Sequence, residues 1–532
     1  MFVTAALAVG LSACGAGRGP AVAAGNGLVT APWSVRYDVS IRSVESWTVD
    51  VRATFEGGVE RGLIAFPPAV SGVVVVEADG RERRPEPYGR SFRLSCEATC
   101  VVRYSFSLRE AARLTDDGVG VAVRGGEDVV APASVWLLRP EPVDARAKVA
   151  LHVDTRDPAG GEPFRFAAPF PKDASTGDYQ LVARDVGAAG YTVFGRFTEL
   201  SVAATKGALD VAILGGERAA DDRAIERWVS ATARAIDTVY GRFPVERVLL
   251  VVAPVPGEEV VFGRTVPAGG PSIIVLAGQS MDEADLRADW VLAHEMFHLG
   301  VPSMPGGAWL DEGFATYFEP VLRARAGLAR GSDTWTEMFV NMPVGASTPE
   351  QPSLALADDH DRIYYGGSAF ALAADVEIRR RTGGARSLDH GLREVLAAGG
   401  KATEVWSVAD FLAALDRGTG VPVARELYQR VAKPLASCQR TGKEHALDLT
   451  RCAPDDPVAL AHLFAALGVQ RAEYGGLELD EEAPLAGIRR SIVALDAGVA
   501  AAVTPAAQVA AGTSAGPSGA GNKHQEAGAE RP

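Results

Sequence analysis

Between residues 28 and 205 hydrophobic and polar positions trade places with a period of two. In "WSVRYDVSIRSV" Val35, Tyr37, Val39 and Ile41 alternate with Ser, Arg and Asp, and "WTVDVRATF" repeats the pattern. "GVVVVEADG", "SFRLSC", "CVVRYSFSL" and "RAKVALHVDT" are similar runs, separated by Gly, Pro and Asp. Side chains that point in turn to the two faces of a pleated strand give this period, so an all-β domain is predicted, sandwich-like or saddle-like.

Near residue 219 the period lengthens. "ADDRAIERWVSATARAIDTVYGRF" sets Ile225, Trp228, Val229, Ile236 and Val239 at helical spacing, with the Thr232 methyl filling the gap in the stripe. The apolar run "RVLLVVAPV" reads as a buried strand. "GRTVPAGGPSIIVLAG" reads as a Gly-rich loop feeding an edge strand, Ser272–Ala277. Next comes a helix carrying "VLAHEMFHLG". Ser280 and Glu283 form an S-x-x-E capping box at its start, and Gly300 and Pro302 end it. A further helix starts near Trp309, in "WLDEGFATYFEPVLRARAG", and helical patterns recur at 366–382, 387–397, 407–416, 422–432 and 456–467.

The fold class expected is therefore a multi-domain α+β protein. It has a leader and linker at 1–27, an N-terminal β domain at 28–205, an α/β lobe at 206–330 and a helical lobe at 331–480. An Ala/Gly/Pro/Ser-rich tail at 481–532 is too biased to bury a core. At 532 residues the chain exceeds what one core usually holds.

Charge and cysteines narrow the class. A net charge of −14 and a pI near 5.2 exclude the basic stripe a nucleic-acid binder needs. The short apolar run "FVTAALAVGLSA" suits the core of an export signal and is too short to span a membrane. It leads into Leu11-Ser12-Ala13-Cys14-Gly15, which resembles the bacterial lipoprotein signal. That resemblance implies a lipid on Cys14 and a place in the cell envelope, on the periplasmic side of a membrane. Ordinary cleavage after Ala21-Val22-Ala23, giving a secreted protein, is the other reading. The remaining cysteines fall into two local pairs, Cys96 with Cys100 and Cys438 with Cys452. In an oxidising compartment these read as disulfides, the first closing a turn between strands. Free thiols are the alternative.

The chemistry centres on His294-Glu295-x-x-His298. Histidines at i and i+4 on a helix turn their rings to one side, where neutral imidazoles can hold one zinc ion, and Glu295 projects beside them as a base. A catalytic zinc needs a third protein ligand. Glu312 follows a Gly/Pro-rich reversal, "LGVPSMPGGAW", and is the candidate. A solvated helix-start acid is its bland reading.

H-E-x-x-H followed by "WLDEGFA" resembles the gluzincin metallopeptidases, closest to the glycyl-aminopeptidase-like and aminopeptidase-N-like groups. The block "YYGGSAFALAADVEIRRRTGGARSLDHGLREVL", 364–396, is similar to the glycyl group. The resemblance implies a thermolysin-like catalytic lobe and one Zn2+ per chain, held by His294, His298 and Glu312. Glu295 would be the general base, Tyr364 the oxyanion donor with Tyr365 as its substitute, and Glu319 a carboxylate behind a zinc histidine. The substrate implied is a short peptide, with aminopeptidase-like action. The Lys of that group's Y-x-K-G is Gly366 here, and no G-x-M-E-N segment is present. In its place Gly269 and Gly270 are candidates for binding a peptide backbone by strand addition, or simply a tight turn. Glu258, Glu259, Asp358, Asp359 and Asp361 are candidates to hold a free amine. His360, beside acids and just before Tyr364, is a candidate substrate contact. No PDZ domain is expected after the helical lobe. A surface binding lipoprotein that keeps the scaffold without turnover is the alternative function.

Overall fold

In the computed structural model the described residues are 33–57, 59–64, 69–88, 91–96, 98–114, 122–124, 128–141, 147–351, 353–431, 453–473 and 475–495. Cys14, Cys438 and Cys452 lie outside them. Among the described residues no helix is long and apolar enough to cross a membrane.

The alternating runs form the strands their period predicts. Ser34–Ser43 buries Val35, Tyr37, Val39 and Ile41, and pairs antiparallel with Thr48–Glu56, which buries Val49, Val51, Ala53 and Phe55. They are the centre of a seven-stranded sheet that also takes in Lys148–Asp154 and Thr99–Ser107. Two four-stranded sheets accompany it, one holding Val59–Ile64 and Ser91–Cys96, the other Asp128–Pro132 and Tyr191–Gly195. Phe55, Leu63, Leu94, Val129 and Phe194 share one apolar cluster drawn from all three sheets. A disulfide joins Cys96 to Cys100, tying the end of one sheet's strand to the start of another's.

Thr198–Ala204, within the expected 28–205, pairs instead with Gly207–Ile213 in a five-stranded sheet. Alternation identifies a strand but not the sheet it joins. In this sheet Arg247–Val255 and Ser272–Gly278 run parallel, and Val260–Val266 pairs antiparallel with Ser272–Gly278 on the outside. Ser272–Ala277 is therefore internal, and the edge strand is Val260–Val266, a segment the sequence suggested as loop. Its central Gly263 and polar Arg264 and Thr265 mask the strand signal.

The helix Asp222–Tyr240 lies against this sheet. It is capped by Asp221, which accepts from Ala224 N, and is ended by Gly241 at φ 74°. Its whole predicted stripe, Thr232 included, is buried. Later helices run Ala308–Arg325, Gly331–Asn341, Gly367–Arg381, Leu388–Ala397, Val408–Thr419, Val423–Val431 and Pro457–Leu467. Ala486–Val493 is also a helix, with Arg489 and Ile492 buried, so the packed structure reaches into the span expected to be tail. One apolar core joins the five-stranded sheet to these helices.

Candidate metal centre

The helix expected from Ser280 to Gly300 is two helices. Glu283–Ala288 is capped by Asp282, which accepts from Ala284 N and Asp285 N, while Asp285 accepts from Asp282 N. The Ser280–Glu283 box does not form. At Asp289 the backbone is extended, φ −60° and ψ 139°, and a second helix, Val291–Phe297, begins. The Asp289 carboxylate accepts from Val291 N and Leu292 N, both at 3.0 Å, satisfying two of the donors that a new helix start exposes. Burial pushes this carboxyl up to about 6 in spite of those two bonds.

Val291, Leu292, Met296 and Phe297 are buried, and the Tyr240 hydroxyl donates to the Phe297 carbonyl at 3.0 Å. That apolar grip fixes the helix's rotation and leaves His294 and His298 on the remaining side, His298 opening a final 3-10 turn. The chain then reverses into Ala308–Arg325, whose Trp309, Leu310 and Phe314 are buried.

This reversal brings Glu312 over both rings. Glu312 Oε2 lies 3.2 Å from His294 Nε2 and 3.4 Å from His298 Nε2, and one ligand atom from each of the three residues falls within 4.8 Å of the others. Donors on one tetrahedral zinc, at about 2.0–2.2 Å, stand roughly 3.3–3.6 Å apart, so the trio fits a zinc ion. His298 Nδ1 lies 2.7 Å from Asp311 Oδ1. A carboxylate only accepts, so Nδ1 donates and His298 Nε2 faces the Glu312 oxygen. A proton on Nε2, or a metal cation in its place, satisfies both groups. Burial alone would lower the affinity of His298 for a proton, but the Asp311 and Glu312 charges outweigh it and raise it well above the ordinary value. Asp311 was not singled out from the sequence. Its signal is its place directly before Glu312.

Glu295 points to the sheet's edge. The Thr265 hydroxyl lies 2.8 Å from both Glu295 Oε2 and the Glu295 carbonyl. Strand and helix approach so closely here that a Cβ on Gly263 would come within 2.6 Å of Glu295 Cγ and Val291 Cγ1. Glycine at 263 is what lets the edge strand run beside Glu295, and neither Gly263 nor Thr265 was marked in the sequence.

Tyr364 comes to the same place from the other side. It lies in a π-helical turn, Arg362–Gly366, which leads into Gly367–Arg381. Gly367 packs backbone to backbone on Gly313, one residue past Glu312, with no room for a Cβ on either. The Tyr364 ring stacks on His294 at 5.8 Å and 10°, and its hydroxyl bonds Glu312. Burial, then the Glu312 and Glu295 charges, push the phenol up, so it stays protonated and able to donate. His360 also stacks on Tyr364, at 4.3 Å and 13°. Tyr365 instead lines a small cavity with Thr316, Glu337 and Met338, away from the triad.

The other candidates are not part of this cluster. Glu319 is buried against Arg323, at 2.6 Å, and Glu337 rather than against a histidine. Gly269 (φ 74°) and Gly270 (φ 128°) make the turn after the edge strand, packed on Phe170, Leu181, Ala189 and the Pro169 carbonyl. A tight turn is what they form, and the free strand edge is at Val260–Val266. Glu258 and Glu259 are exposed ahead of that strand. Asp359 accepts from Arg362 N, Asp361 lies 3.3 Å from His360 Nδ1, and Asp358 is exposed. Among the described residues His294, His298 and Glu312 form the one cluster of His, Cys, Asp or Glu with metal-holding spacing.

No protein-family model matches the chain, and no curated protein matches it. Among solved structures, the aminopeptidase N family protein from Idiomarina loihiensis is similar with a TM-score of 0.61 at 14% identity, over 85% of this chain and 82% of that one. An M1 zinc metallopeptidase from Deinococcus radiodurans reaches a TM-score of 0.45 at 15% identity, over 77% of this chain and 95% of that one, too low a score to carry an argument. The first likeness shows the fold: this chain shares that of an aminopeptidase N family protein. Neither likeness bears on the resemblance of residues 364–396 to the glycyl group.

Proposed function

We propose that the chain is a zinc-dependent metallopeptidase of the gluzincin kind, aminopeptidase-N-like, acting on short peptides. The observation that carries this reading is Glu312 Oε2 set at 3.2 and 3.4 Å from two imidazole nitrogens, with an independent carboxylate, Glu295, beside them. His294, His298 and Glu312 would hold the ion, and zinc when bound supplies an acidified water and a polarised carbonyl.

The chain's own residues do the rest. Asp311 keeps the proton of His298 on Nδ1 and leaves Nε2 free as a donor. Glu295 takes the water's proton at its carboxylate and returns it to the leaving amine. Thr265 fixes where that carboxylate points. Tyr364, protonated and aimed at the triad, donates to the oxygen that gains charge, a bond that strengthens as the transition state forms. The open edge Val260–Val266 supplies backbone groups to an extended peptide. That strand carries no acid, so the aminopeptidase-like part of the reading rests on the shared fold.

Glu295→Gln tests the mechanism, because it keeps size and hydrogen bonding and removes the base. The variant is expected to keep one zinc per chain, measured by elemental analysis, while kcat/KM on fluorogenic aminoacyl and internally quenched peptides falls by about a thousandfold. Undiminished turnover would overturn the reading.

A further inference from the structure

Three rings lie nearly parallel at the site: His360 and Tyr364 at 4.3 Å and 13°, and Tyr364 and His294 at 5.8 Å and 10°. We propose that His360 is a positioning residue, which holds the Tyr364 hydroxyl on the reacting oxygen by stacking on its ring. The inference rests on the peptidase reading of the site and adds to it a residue four positions before the oxyanion donor.

The turn's backbone is already pinned. Arg362 N donates to Asp359 Oδ1 at 3.0 Å, Arg362 Nη1 donates to the Gly345 carbonyl at 2.6 Å, and Gly366 packs on Gly345. None of these bonds fixes the torsions of the Tyr364 side chain. Its ring packs near His294, which the Val291–Phe297 helix holds in place. His360 stacks closer on the same ring, from a side chain that is itself 58% exposed. Without that imidazole the phenol keeps its bond to Glu312 but loses its nearest ring neighbour, so its hydroxyl is held less closely in place. A donor that must meet charge as it develops loses rate steeply when it is misplaced. A π-helical turn widens the backbone by one residue, and here it faces the His360 and Tyr364 rings to one another. His360 Nδ1 is turned to Asp361, so the contact with Tyr364 is made by the ring face and not by a ring nitrogen.

The two roles open to His360 separate kinetically. A substrate contact changes KM, whereas a positioning ring changes kcat and needs only to be flat. His360→Ala is therefore expected to lower kcat by about 3- to 10-fold, the worth of one aromatic stack, with KM held within about twofold. His360→Phe is expected to restore most of the loss. In a Tyr364→Phe background His360→Ala is expected to add nothing, since the group it positions is gone. The measurement is a steady-state series on the zinc-loaded full chain, with zinc content and thermal midpoint recorded for each variant. The inference is overturned if His360→Ala turns over at the wild-type rate, if only KM moves, if His360→Phe is as slow as His360→Ala, or if the loss persists unchanged in Tyr364→Phe. Glu295→Gln run alongside separates the two levels. Full activity there removes the peptidase reading itself, while an inactive Glu295→Gln beside an unaffected His360→Ala removes only the role of His360.

Discussion

Glu312 and Glu319 stand two turns apart on the helix Ala308–Arg325, both withdrawn from water, and their surroundings drive them in opposite directions. For each, burial is the largest influence and raises the pKa. At Glu312 the His298 and His294 rings outweigh it and hold the carboxyl well below the ordinary carboxylate range. At Glu319 a second carboxyl, Glu337, adds to burial. Arg323 at 2.6 Å does not offset them, and the group is pushed well above that range. Desolvation has one sign for all carboxylates, so the neighbour decides. Imidazoles make Glu312 an anion that seeks a cation, and a carboxyl neighbour makes Glu319 a group that keeps a proton. One helix thus presents a ligand at its start and a structural acid two turns later.

The largest effect expected follows from that contrast. Glu312→Gln removes the anion and is expected to strip the zinc, with affinity down by more than about a hundredfold and peptidase activity lost. Glu319→Gln replaces a carboxyl already inclined to be neutral and is expected to keep one zinc per chain and activity within about twofold. Elemental analysis after dialysis reads both. Equal zinc loss in the two variants would break the comparison.

A smaller effect sharpens it. Asp311 touches the proposed zinc ligand His298 through one hydrogen bond at 2.7 Å. Asp311→Ala leaves the three ligands intact but frees the His298 ring to turn and to carry its proton on either nitrogen. Zinc affinity is expected to drop by about 10- to 100-fold, measured by competition with a chelator. An unchanged affinity would mean that packing alone orients the ring.

Much of this was legible in the sequence, for a physical reason that differs from part to part. The helix Asp222–Tyr240 was legible because one apolar face repeats over several turns, and Gly367–Arg381 was read nearly to the residue although it is buried on all sides. That His294, His298 and Glu312 come together was legible because i, i+4 spacing and a short reversal fix where side chains meet. The break at Asp289 was missed because an N-cap in mid-pattern does not disturb hydrophobic spacing. The Val260–Val266 strand was missed because Gly263, required there by contact with Glu295, erases the β signal at the point where function needs it. Glu319 was read as a partner of a histidine. Its partners are Arg323, one turn on in the same helix, and Glu337 from the next helix, a tertiary contact that no local pattern encodes.

The smallest effect concerns that pair and is a matter of pH. Glu337 is raised too, chiefly by burial. Both folded-state values lie above the unfolded one, near 4.5. The native state therefore binds more protons than the unfolded chain as pH climbs past that point, and the pair's contribution is complete below it and is lost as pH rises through the folded values. Glu337→Gln abolishes the mutual repulsion and lets Glu319 ionise against Arg323. At the acid end of the range, where the native pair holds its protons, the variant and the parent should unfold at nearly the same urea concentration. By pH 8 the variant should be the more stable by about 1.4 kcal/mol, which corresponds to a roughly tenfold change in the affinity for one proton. Both chains share the zinc site, so its own pH dependence cancels in the difference. A gap that stays constant from pH 5 to 8 would show that the two carboxyls do not hold a proton between them, and the contrast between Glu312 and Glu319 would then reduce to their ion-pair partners.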